Sequence, residues 1–176
     1  MDDGLKKVEQ AMRDYFDADR RRIDHALRVT GFASDILSVE PGERELVLAT
    51  ALLHDIGIRE AERKFGSSAG DLQEQEGPPV AREILSSLGY TEPFIREACE
   101  IIASHHSPGE IDTENFRVIW DADWLVNLGD EVGTDDRERL AAIIGKVMMT
   151  DTGKAIAGKI YLGAADASVP VEASER

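Results

Sequence analysis

The sequence predicts an all-α fold, and three observations carry that expectation. Apolar residues recur at helical spacing almost throughout, no two-residue alternation lasts beyond a few positions, and proline and glycine punctuate the periodic segments. The first amphipathic helix is expected over Leu5 to Phe16. A second runs from Arg21 to Leu37, with Val29, Phe32, Ala33 and Ile36 on one side and His25 sharing it. Pro41-Gly42 makes a turn, and the stretch Leu46 to Leu53 is apolar on every face, as a helix surrounded by others must be; it ends in His54-Asp55.

From Gly57 to Glu76 the chain is polar and weakly periodic, which reads as a lid, binding loop or mobile connection. Pro78-Pro79 then opens a helix that runs through Leu88 and stops at Gly89. Thr91-Glu92-Pro93 caps the next, which passes Ile95, Cys99 and Ile102 to reach His105-His106 before Ser107-Pro108-Gly109 breaks it. Asn115 to Leu128 and Asp135 to Met149 follow, the latter opened by Asp135 and Glu138 in a capping-box-like pair. A short helix, Lys154 to Leu162, closes the fold. Residues 1–163 are read as one domain and 164–176 as a flexible tail, small, polar and without period.

With 176 residues the chain can bury a full core in one domain. Its longest apolar run, Leu46 to Leu53, is too short for a bilayer. The 20 basic residues stand against 35 acidic ones, and the net charge of -15 repels phosphate backbones and anionic lipid, so no nucleic acid and no membrane surface is expected as partner. A small anion is still bindable where a local cation supplies the attraction, and in an acidic chain a metal ion does this best. Cys99 is alone and forms no internal disulfide; the opening residues lack the apolar core of a secretion signal. A cytoplasmic setting is the expectation.

All four histidines, His25, His54, His105 and His106, lie at the end or on the apolar side of an expected helix. Beside them stand Asp55 and Asp123, the latter in an otherwise apolar helix with Trp120, Trp124, Leu125 and Leu128. Buried carboxylates and imidazoles are costly unless they converge on one another or on a metal. Mixed nitrogen and oxygen donors suit manganese, iron, zinc, nickel or cobalt, and donors from separate helices suit a site inside a bundle.

The order His25, then His54-Asp55 preceded by Ala51-Leu52-Leu53 and followed by Ile56-Gly57, then Asp123 in Trp120-Asp121-Ala122-Asp123-Trp124-Leu125, resembles the HD superfamily of metal-dependent phosphohydrolases over about residues 20 to 130. The resemblance implies an all-helical domain in which His25, His54, Asp55 and Asp123 bind one or two divalent transition metals. It favours Asp123 over Asp121 because the family's ligand is commonly followed two places later by a large apolar residue, here Leu125. It implies a substrate-contacting role for Asn127, one turn beyond Asp123. In two-metal members further histidines join: His105 and His106 fit one such slot, and Glu76 stands in another where histidine is usual.

The chain departs from two branches of the family. No lysine follows soon after His54-Asp55, and no Gly-Tyr-Pro element occurs, which sets aside the cyclic-dinucleotide phosphodiesterases; the length excludes the stringent-response enzymes. Gly66-Ser67-Ser68-Ala69-Gly70 matches a nucleophile-elbow pattern, but that motif works only at a strand-to-helix turn, and no sheet is expected. Arg59, Arg63 and Lys64 nearby are candidate phosphate-steering cations.

The expected activity is hydrolysis of a phosphate ester or anhydride on a small phosphorylated metabolite, a nucleotide first among them. Asp55 serves as ligand and, with two metals, as their bridge; His105 or His106 donates a proton to the leaving oxygen or binds the phosphate. The rivals are a two-iron oxygenase of the same ligand order and a non-catalytic sensor whose metal only stabilises the bundle.

Overall fold

The computed structural model describes residues 3–107, 109, 111–131 and 136–163. Every regular element among them is a helix: α1 (Asp3–Phe16), α2 (Arg20–Ile36), α3 (Arg44–Leu53), α4 (Ile58–Phe65), α5 (Gly70–Ser87), α6 (Glu92–Ile102), α7 (Glu114–Glu131), α8 (Arg137–Val147) and α9 (Asp151–Leu162). Helix α3 occupies the middle because it has no polar face to offer water: Leu46 to Leu53 are all buried. Helices α1, α2, α6 and α7 pack around it. The pairing of α2 with α7 sets His25 opposite Asp123, and α3 delivers His54 and Asp55 to the same level from its C-terminal end.

The segment 57–76 departs from its expectation. It holds α4 and the first part of α5, and α5 runs on through Pro78 and Pro79 instead of starting there. Proline inside a helix removes two amide donors and is unfavourable by about 3 kcal/mol per residue relative to alanine, so packing must offset it. Helix α5 lies along both α4 and α6, and Gly57 and Gly77 let the α4 start and α5 approach backbone to backbone. A Cβ on Gly57 would stand 2.4 Å from the Gln73 carbonyl oxygen, and one on Gly77 2.6 Å from the Ile102 side chain. The weak apolar period has a direct cause: the inward positions of this half of α5 are Gln73, Glu76 and Gly77.

At the far end, the buried Asp121 carboxylate accepts from Met149 N (2.7 Å), Thr150 N (2.8 Å) and Thr150 Oγ1 (2.7 Å), tying α7 to the start of α9. Burial pushes its carboxyl up, and these three donors pull it back. Helix α8 is capped by Asp136, which accepts from Arg139 N at 3.0 Å. The expected cap Asp135 and the expected tail 164–176 lie outside the described residues. No helix among the described residues is long and apolar enough to cross a membrane.

Candidate metal centre

Two helices end on histidines in the same way. His54, at the C-cap of α3, faces Ala51 O with Nδ1 at 2.8 Å, and His105, just beyond α6, faces Ile102 O with Nδ1 at 2.7 Å. A carbonyl only accepts, so each Nδ1 carries the proton and donates. In the neutral ring, Nε2 is then left with a lone pair pointing away from the helix.

Those lone pairs meet the other candidates. His25 Nε2 lies 3.2 Å from His54 Nε2, 3.1 Å from Asp123 Oδ1 and 3.5 Å from Asp55 Oδ2. His54 Nε2 is 3.5 Å from Asp123 Oδ1 and 3.6 Å from Asp55 Oδ2. Donors bonded to one ion at about 2.1 Å stand roughly 3.0–3.4 Å apart in octahedral or tetrahedral arrangement, close to the distances from His25 and His54 to the two carboxylates, and the donor atoms of His25, His54 and Asp55 all lie within 4.8 Å of one another. The second oxygen of Asp55, Oδ1, is 3.4 Å from His105 Nε2, which is buried and has no hydrogen-bond partner. Two acceptors facing each other in a buried place call for a proton or a cation between them. Asp55, His105 and His106 form a second set whose donor atoms lie within 4.8 Å of one another, so Asp55 offers one oxygen to each set.

Without a cation the cluster is a charged network. Burial alone would depress His54, but the carboxylates of Asp55 and Asp123 overcome it and lift the imidazole from the usual 6.5 to about 9. Burial likewise pushes Asp55 and Asp123 upward, yet the histidines around them hold both well below the usual carboxylate range. A raised imidazole stabilises the fold fully below its ordinary value and loses that contribution as pH rises through the folded one. The Tm of metal-free protein is therefore expected to fall between pH 6.5 and 9. Binding of an ion should release the His54 proton in that range, weakening apparent metal affinity about tenfold per pH unit on descent; competition against a chromogenic chelator across pH reads this directly, and a flat profile would contradict it.

Asn127 Nδ2 donates to Asp123 Oδ2 at 3.0 Å, which turns the other oxygen of Asp123 toward His25 and His54. The side chain thus orients a ligand oxygen, and Asn127→Ala is expected to weaken metal binding about 10- to 100-fold with the helical signal unchanged; unaltered affinity would refute the role. Of the neighbouring aspartates, Asp121 points away to Met149 and Thr150.

His106 belongs to the cavity wall. Its ring centroid is 4.0 Å from that of His105 and its ring lies against Gly70, where a Cβ would stand 2.9 Å from the imidazole. Burial and the adjacent His105 push its pKa down, so it is neutral near pH 7. Glu74 fixes the backbone here, accepting from His106 N (2.9 Å) and Ser107 N (2.8 Å).

Four expected residues are elsewhere. Glu76 is paired with Lys64 Nζ instead of joining the histidines, because that buried carboxylate takes the nearest ammonium. Lys64 is thereby neutralised, Arg63 is paired with Glu60 at 2.7 Å, and Arg59 donates to Tyr15 O and lies over the Tyr15 ring. None of the three cations lines the cavity of about 650 Å³ that opens over the cluster. The basic residues that do are Arg21, Arg22 and Arg28 of α2. Sequence reading missed them, although Arg21 and Arg28 stand four places before and three after His25, a spacing that shares its helix face.

Comparison with known proteins identifies a family and a similar fold. The HD domain family matches residues 22–144, which contain His25, His54, Asp55 and Asp123. The crystal structure of a predicted HD superfamily hydrolase from an uncultured Thermotogales bacterium is similar, with a TM-score of 0.66 and 28% sequence identity over 90% of this chain and 86% of that one. None of the curated proteins matches the chain. Helical architecture, the order of the converging donors and the family match together assign the chain to the HD domain family.

Proposed function

We infer that this protein is a metal-dependent phosphohydrolase of a small phosphorylated metabolite, nucleotides foremost. The observation that carries the reading is the convergence of His25, His54, Asp55 and Asp123 at the base of an open cavity, with the unpartnered His105 Nε2 on the other oxygen of Asp55. A divalent transition metal held by these side chains, manganese, iron, zinc, nickel or cobalt, supplies Lewis acidity toward phosphoryl oxygens and lowers the pKa of water. The residues do the rest. His54 and His105 present lone pairs already aimed by their carbonyl partners, and Asp55 spans both donor sets, as a bridge between two ions would. With a single ion, His106 is the imidazole able to donate a hydrogen bond to the substrate phosphate from its neutral ring, since it lines the cavity whereas His105 is sealed behind it. A cavity of about 650 Å³ accommodates a nucleotide, and the acidic exterior disfavours polymeric anions.

Metal-stripped protein and the His54→Ala variant should both lose turnover on a nucleotide panel, with activity returning to the wild type on adding manganese or nickel under nitrogen. Undiminished turnover without metal would overturn the reading. Substrate-dependent oxygen uptake with bound iron would replace it with the oxygenase.

A further inference from the structure

A divalent ion held by two carboxylates and neutral imidazoles can take one phosphate group as a direct ligand but has no net charge left to draw in a second. The attraction must come from the cavity wall, and there the basic groups are unequal. Arg22 is used up, with Nη1 3.0 Å from Asp19 Oδ2 and Nη2 2.6 Å from Glu62 Oε1. Arg28 keeps an interaction within the protein. Arg21 is exposed, lines the cavity and, among the described residues, has no carboxylate partner. It stands one turn before His25 on the same face of α2, about 6 Å along the axis, which is within the reach of a guanidinium from a phosphate seated over His25 and Asp123.

We propose that Arg21 forms a second anion subsite, so that the favoured substrate carries two phosphate groups, one over the His25, His54, Asp55 and Asp123 cluster and one on the Arg21 guanidinium. A planar fork of donors suits phosphate oxygens bidentately, which an ammonium would not reproduce. This rests on the phosphohydrolase reading for the first phosphate but concerns a residue outside the metal cluster.

The test compares adenosine monophosphate, adenosine diphosphate and adenosine 3′,5′-bisphosphate, whose organic part is common, by kcat/KM on metal-loaded protein. Calorimetric Kd values for adenosine monophosphate and for the non-hydrolysable α,β-methylene analogue of adenosine diphosphate accompany them. Wild type should favour one of the two doubly phosphorylated compounds by about tenfold or more, and which one tells whether the phosphates are adjacent or separated on the sugar. Arg21→Ala should erase the preference while changing the monophosphate values less than about twofold, and Arg21→Lys should restore part of it. No preference in the wild type, or an equal loss for all compounds in Arg21→Ala, would overturn the subsite. Failure of the hydrolase reading looks different: no turnover with any metal, yet an Arg21-dependent preference in the calorimetric Kd values, would leave the subsite standing by itself.

Discussion

Asp55→Asn is expected to lower kcat by about a thousandfold or more, equivalent to about 4 kcal/mol of transition-state stabilisation, while the bundle stays folded. Asp55 is the only described side chain with an oxygen toward each donor set: Oδ2 lies 3.5 Å from His25 and 3.6 Å from His54, and Oδ1 lies 3.4 Å from His105. An amide of the same shape keeps the packing but removes the charge and presents a nitrogen that repels a cation. A second readout follows from the same contacts. Asp55 and Asp123 are the two carboxylates lifting His54 to about 9, so in metal-free Asp55→Asn the His54 titration should move down toward the ordinary imidazole value. Near-normal kcat, or a His54 titration that stays put, would show that the carboxylate does not couple the cluster as its distances require. Loss of metal without loss of helical signal would complete the expected pattern.

Gly57→Ala carries the largest expected loss of stability, about 2–4 kcal/mol, or a fall in Tm on the order of 10 °C. The added methyl would meet the Gln73 carbonyl oxygen at 2.4 Å, Gly77 N at 2.6 Å and Gly77 Cα at 2.9 Å, all of them main-chain atoms with no rotamer to change. The α4 start and α5 must separate, and Asp55 lies two residues upstream, so activity should fall with stability. Gly31→Ala is the matched comparison. It sits mid-helix in α2 with nothing within 4 Å of its would-be Cβ, so it should be neutral or slightly stabilising. Equal behaviour of the two variants would mean that the close approach does not matter.

What could be read from the sequence followed from the kind of signal each region carries. Helices α2, α3, α6 and α7 bury apolar faces, so their period and the donors they carry were legible, and the His54-Asp55 pair with its apolar lead-in pointed to the family. The first half of helix α5 was not legible, because its inward residues Gln73 and Glu76 are polar and the proline pair inside the helix imitates its start. Lys64 and Glu76 lie away from the cluster for a related reason: charge along a sequence does not say which opposite charge a side chain will find, and these two found each other. Arg21 escaped notice because an arginine among Arg20, Arg21 and Arg22 looks like a solvated helix start until the fold opens a cavity beside it.

The histidines that finish α3 and α6 have a consequence for the order of events in the molecule's life. Each imidazole spends its Nδ1 proton on the last turn of its own helix, so the rotational freedom of the ring is surrendered when the chain winds up, not when an ion arrives. The entropy of arranging those two rings is settled during folding, and capture of the ion from solution then proceeds without it.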